Sequence, residues 1–149
     1  ELAQIVGRCA INPLANLPFD PYELDPPEIF KKVLIIGGGP AGLQAAITTF
    51  DRGHEVVLVE KENKLGGLLL YAGLEHDKTD LNKFKNVLIT EVKSRDIDIR
   101  LNTTADKESI DQINPDHIII ATGSEPTTPG IPGIENAVQS LEVFKQNVS

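Results

Sequence analysis

The chain contains no methionine and no tryptophan, has a single cysteine at Cys9, and holds no apolar run near the ~20 residues that span a bilayer. One cysteine excludes an internal disulfide framework and fits a reducing, cytoplasmic setting. No positively charged leader precedes an apolar segment, so nothing points to secretion or to a membrane. A basic excess is also lacking: the net charge is -8 and the pI about 4.8, which gives no footprint for nucleic acid or an anionic surface. A phosphate bound here has to be met by backbone N–H groups. Lacking an initiator methionine and opening on Glu1 in mid-pattern, the chain reads as a piece of a longer protein.

What is present is a chain of 149 residues, 40% hydrophobic and 24% charged, enough for one globular α/β domain. Residues 1–30 carry half of the prolines (Pro13, Pro18, Pro21, Pro26, Pro27) without helical or strand periodicity. Proline removes backbone donors and extends its predecessor, so this stretch is expected to be an extended linker, with Leu17, Phe19, Tyr22, Leu24, Ile29 and Phe30 laid on a surface.

From residue 31 onward alternating units appear, and residues 31–149 are expected to form a Rossmann-like parallel sheet with flanking helices. Val33-Leu34-Ile35-Ile36 is a short apolar run, the pattern of a parallel strand covered on both faces. Leu43, Ala46, Ile47 and Phe50 repeat at helical spacing up to Gly53, and Glu55-Val56-Val57-Leu58-Val59 is a second strand. Residues 61–78 read as loop. Thr79 is expected to cap a helix reaching about residue 95, with Leu81, Phe84, Leu88 and Val92 on one face. A strand over 97–101, a weak helix over 105–114 ended by Pro115, and a buried strand over 117–121 follow. A Pro/Gly loop over 125–133 leads to a short strand and a short helix within 137–147.

The chemistry lies in Gly37-Gly38-Gly39-Pro40-Ala41-Gly42, a G-x-G-x-x-G pattern between a strand and a helix. There the first glycine makes a tight turn, the second lets backbone approach a pyrophosphate, and the third lets the helix pack closely on the strand. The helix N-terminus adds free N–H groups and partial positive charge. Glu60 ends the second strand about 20 residues beyond Gly37, where an acid accepts hydrogen bonds from both ribose hydroxyls and repels a 2'-phosphate. This favours FAD or NAD over NADP. Lys64-Leu65-Gly66-Gly67 follows that acid, and Ala121-Thr122-Gly123 follows a later strand, both at the sheet edge where open α/β folds bind ligands. No residue is expected to act as acid, base, nucleophile or metal ligand: His54, His76 and His117 are isolated.

Together, GGGPAG, VEK with LGG, IIIATGSEP and IPGI resemble the FAD-binding half of the two-dinucleotide-fold flavoproteins. More narrowly, Cys9-Ala10-Ile11-Asn12-Pro13, the proline-rich link and KKVLIIGGGPAGLQAA are similar to the C-terminal region of the 2,4-dienoyl-CoA reductase, trimethylamine dehydrogenase and 2-enoate reductase family. The resemblance implies a longer protein in which an FMN barrel is joined through a [4Fe-4S] cluster to this domain, which relays electrons from NAD(P)H for enoate reduction or amine oxidation. Cys9 matches the cluster's last cysteine, but four thiolates are needed and this chain has one.

The same resemblance implies that Gly37, Gly39, Pro40 and Ala41 meet the pyrophosphate, Glu60 the ribose and Lys61 and Ala105 the adenine. Gly67 and Leu68 would run toward the flavin, and Ala121, Thr122 and Gly123 would close the site. Leu68 stands where the family has glutamine, and Ala105 where it offers valine. The family's second glycine-rich motif for NAD(P)H and its returning Gly-Asp motif are missing, so the FAD domain is expected to be incomplete. It would then bind FAD weakly or not at all and self-associate to some extent through uncovered sheet surface. Three alternatives stay open: a structural domain holding only ADP or another adenine nucleotide, a thioredoxin-reductase-like flavoenzyme, which needs a C-x-x-C pair, and an NAD-dependent dehydrogenase.

Overall fold

The computed structural model describes residues 26–145, apart from Glu75 and the side chain of His76. The linker expected over 1–30 and Cys9 therefore lie almost wholly outside the described residues. Four strands form one sheet: β1 (Lys32–Ile36), β2 (Glu55–Val59), β3 (Asp98–Arg100) and β4 (His117–Ile120). The order is β3-β2-β1-β4 and every pairing is parallel, with Leu34 between Val57 and Ile118, and Leu58 beside Ile99. Parallel neighbours need crossovers, and α1 (Pro40–Asp51), α3 (Thr79–Lys93) and α4 (Lys107–Ile113) lie in the three connections. Two short helices complete the set, α2 (Leu69–Ala72) and α5 (Ser140–Lys145).

The alternation of strand side chains divides the core into two layers. Val33, Ile35, Val56 and Leu58 face α1 and α3, where Leu43, Ala46, Leu88 and Val92 are buried, with Leu65 and Ile97 closing the ends. On the opposite face Leu34, Val57 and Val59 meet Ile113 of α4, with Ile36, Ala105 and Ile110 alongside. Burial of β1 and β2 on both faces follows from their continuous apolar runs. For β4 the expectation fails: the strand forms, but Ile118, Ile119 and Ile120 are 45%, 37% and 75% exposed. It lies at the sheet's edge, and among the described residues no helix covers it as α1 and α3 cover β1 and β2.

Chain ends and caps fix the crossovers. Gly53, at φ 88°, follows α1, and its N–H bonds to Phe50 O while the His54 N–H reaches Thr49 O, a Schellman ending. Arg95 forks onto Asp51 at 2.7 and 2.8 Å and also bonds Glu91, tying the end of α3 to the end of α1. The Asp106 carboxylate accepts the Ser109 N–H and the Ser109 hydroxyl accepts the Asp106 N–H, a reciprocal cap that starts α4. These bonds, that of the Ser109 N–H first, hold the Asp106 carboxyl below its ordinary value.

Several boundaries differ from expectation. Thr79 is the first residue of α3, not its cap; Lys78 holds that position, and its side chain does not cap the helix. β3 keeps only the three residues that find partners in β2. The weak helix over 105–114 shortens to α4, because its cap is Asp106. Residues 61–78 hold α2 and a 3-10 turn, His76–Lys78. Ala137 is extended at φ -99° and ψ 148° but joins no sheet, and a 3-10 turn at Ile134–Asn136 precedes it.

The two-layer core sets a graded expectation. Leu43 is fully buried, so Leu43→Ala should cost about 2–5 kcal/mol in urea unfolding. Val87, 56% exposed on α3, should change by no more than about 0.5 kcal/mol on truncation to alanine.

Candidate nucleotide site

The four strand ends and the turns after them share the sheet's carboxyl edge. β2 and β3 lie on one side of β1 and β4 on the other, so the connections diverge between β1 and β4, where α/β sheets open a crevice. Gly37 sits in that crevice at φ 111°, its N–H bonded to Val59 O at 2.8 Å, while the Ala121 N–H bonds to Ile36 O at 2.8 Å. A Cβ on Gly37 would lie 2.4 Å from Ala121 O. A Cβ on Gly42 would lie 1.8 Å from Gly37 O. The fold itself therefore demands these two glycines.

Gly39 is different. It has φ -77°, which any residue adopts, and a Cβ there would meet nothing nearer than the Gly67 Cα at 4.0 Å. Packing within the protein does not demand a glycine at this point, and the space beside it is open to a ligand. Gly39 is also the N-cap of α1 and offers no side-chain cap. Pro40 brings no N–H, and the first N–H satisfied within the helix is that of Leu43, on Gly39 O at 2.9 Å. The first turn thus presents backbone donors and partial positive charge to an anion.

Glu60 follows β2 and is only 8% exposed. One carboxylate oxygen accepts the Gly38 N–H at 2.5 Å and the other the Glu62 N–H at 2.9 Å. Its own backbone takes the Thr103 N–H and gives its N–H to Arg100 O, which fixes the residue between the ends of β2 and β3. An ionised carboxylate only accepts, with about four lone-pair sites, so two remain for hydroxyl donors. The LGG loop closes over this arrangement: the Gly66 N–H bonds to Gly38 O at 2.8 Å, and Gly67, at φ 53°, leaves only 2.9 Å between a Cβ and the Gly39 Cα.

Of the residues singled out from sequence, Gly37, Gly39, Pro40, Glu60, Gly67 and Ala121 come together in this crevice. Ala41, Lys61, Thr122 and Gly123 are exposed beside it, and Leu68 is 52% exposed beyond Gly67. Gly123 has φ 76° and nothing within 4 Å of a Cβ. The side chain of Ala105 packs with the core layer of Leu34, Val57 and Ile113. Sequence reasoning passed over Gly38, where a Cβ would lie 2.7 Å from Leu65 Cδ2 and 3.0 Å from Glu60 Oε2. The signal was available: a third glycine within the pattern, opposite an acid that ends the next strand. His54 precedes β2 and His117 opens β4, so both stand at the opposite, amino edge of the sheet. Among the described residues no group of three or more His, Cys, Asp or Glu could hold a metal ion, and no helix is long and apolar enough to cross a membrane.

The glycines divide by purpose, and substitution should separate them. Gly42→Ala and Gly37→Ala should each lose about 1–3 kcal/mol or more in thermal or urea unfolding, because the new Cβ meets backbone. Gly39→Ala should stay within about 1 kcal/mol of the unmodified chain.

Comparison with known proteins agrees with this geometry. Residues 31–148 match the model of the family described as pyridine nucleotide-disulphide oxidoreductase. An NADH oxidase of Thermoanaerobacter brockii is 44% identical over 146 residues, covering 95% of this chain and 22% of the relative. A cinnamate reductase of Clostridium sporogenes is 36% identical over 138 residues, covering 93% and 21%. A solved complex of 2-naphthoyl-CoA reductase with 2-naphthoyl-CoA superposes with a TM-score of 0.78 at 30% identity, covering 87% of this chain and 20% of that one. The chain thus spans about a fifth of the length of the proteins it matches. Glycine turn, buried acid and matched sequence together make the chain a member of the pyridine nucleotide-disulphide oxidoreductase family.

Proposed function

We propose that this chain is the part of an FAD domain that holds adenosine and pyrophosphate, within a longer flavin-dependent NAD(P)H oxidoreductase acting on enoates or amines. The observation that carries this reading is the open space at Gly39 beside the buried acceptor Glu60, at the point where the sheet's connections diverge. Gly37, Gly39, Pro40 and Ala41 bring backbone and the start of α1 to the pyrophosphate. Glu60 accepts from the ribose, and Lys61 and Ala105 border the adenine. Gly67 and Leu68 lead toward the flavin, and Ala121, Thr122 and Gly123 close the crevice on the side of β4.

Hydride acceptance and single-electron release are chemistry that FAD supplies when bound, while the protein binds and orients it. FMN and a [4Fe-4S] cluster belong, in this reading, to other parts of the longer protein, with residues 1–30 as the link and residues 31–149 as the start of the FAD domain. The lone cysteine supports a cytoplasmic setting.

A second reading, that this chain by itself holds only an adenine nucleotide, draws on the flavin end of the crevice. Gly123 meets nothing within 4 Å and Leu68 is 52% exposed, so few groups here would grip an isoalloxazine. Titration calorimetry with FAD, ADP and NADH tests both. FAD and ADP should bind within about tenfold of each other, a difference of no more than 1.4 kcal/mol, and Gly39→Leu should weaken both at least tenfold. FAD binding far tighter than ADP would mean that the flavin end is largely complete, and unaltered binding by the variant would overturn the site.

The bare β4 edge adds an expectation for the isolated chain. Unpaired strand edges with apolar side chains pair with other chains. Sedimentation should show a mass that rises with concentration, and Ile120→Lys, at a position 75% exposed, should return it to that of one chain.

A further inference from the structure

We propose that the Glu60 carboxylate is the positioning group of the phosphate turn, holding it in its ligand-ready shape through Gly38 and independently of any contact with a ribose. A carboxylate this buried is costly unless its oxygens are hydrogen-bonded, and here each oxygen has a backbone donor. The two donors come from different segments: Gly38 from the turn after β1, Glu62 from the chain after β2. One carboxylate therefore joins two loops that diverge from adjacent strands.

Gly38 is the point of attachment. Its N–H is taken by Glu60 and its C=O by the Gly66 N–H at 2.8 Å, so both ends of the residue are gripped. Its α-carbon lies against Leu65, which is 5% exposed and leaves no room for a side chain. The next residue is Gly39, the N-cap of α1. Tilting Gly38 would turn the cap and with it the first-turn donors. Positioning and ribose acceptance do not compete, because the carboxylate has lone pairs to spare after receiving two N–H groups. Glutamine can meet only one of the two N–H groups, because its NH2 then opposes the other, and leucine meets neither.

The first arm of the test uses no ligand and so stands apart from the nucleotide reading, on which the second arm rests. In NMR-detected hydrogen exchange of the 149-residue chain, the Gly38 and Glu62 amides should be protected. In Glu60→Leu, which has no acceptor, the Gly38 and Gly66 amides should exchange at least tenfold faster, while Leu34 and Leu58 in the core keep their rates. A Gly38 amide that exchanges like an open loop in the unmodified chain would overturn the proposal, and this measurement decides even if the variant fails to fold. In the second arm, inorganic pyrophosphate, which has no ribose, is compared with ADP by calorimetry. Positioning requires Glu60→Leu to weaken both by a similar factor, about fivefold or more. Loss for ADP alone would assign Glu60 to ribose contact only and overturn the positioning role. Failure of both ligands to bind the unmodified chain would remove the nucleotide reading while the exchange result still decides the first.

Discussion

The structure depends on the close approach of α1 to the turn after β1. Without side chains at Gly37 and Gly42, the helix can rest its first turn on the Gly37 carbonyl, and the end of β4 can lie against the same peptide through Ala121. Three elements thus meet at one residue, and the crevice between β1 and β4 takes its shape from that meeting. Strand ends at the carboxyl edge, the acid after β2 and the glycine loop at 66–67 are then brought within hydrogen-bonding reach of the turn. Backbone donors aimed from a helix start suit an anion without any basic side chain, which is compatible with a chain of net charge -8.

What the sequence made legible was local. The apolar run of β1, three glycines and the helical repeat of Leu43, Ala46, Ile47 and Phe50 are consistent signals within a short span, and each was realised. The repeat of Leu81, Phe84, Leu88 and Val92 likewise gave α3 its buried side. The exposure of β4 was not legible, because His117-Ile118-Ile119-Ile120 has the same pattern whether or not something lies across it. Burial there is a property of the neighbours. Nor was it legible that the Ala105 side chain packs against the layer of Leu34, Val57 and Ile113, since a single alanine before a helix carries no periodicity. Of the caps, Asp106 with Ser109 went unread, because it departs from the Ser-x-x-Glu order by which such caps are recognised.

The site shows the same division. Glycine and acid positions could be read as a pattern, whereas the grip on Gly38 needed the loop after β2 to be seen folded back over the turn. A pattern gives the spacing of residues that approach a ligand, but says little about the bonds that hold them still beforehand. The family assignment fits that view: a chain matching about a fifth of its relatives keeps the whole pattern of the turn.

The pairing of β1 with β4 also bears on the order in which this protein folds. Lys32 and Asp116 bond to one another in both directions, at 2.7 and 2.8 Å, across 84 positions of sequence. Contacts that distant close late, since the entropy of a long loop must be overcome before they form, whereas β1, α1 and β2 are near neighbours in the chain. The glycine turn is therefore begun by local contacts and completed by a distant one: it gains its wall at Ala121 only when β4 docks on β1, after β1, α1 and β2 have come together.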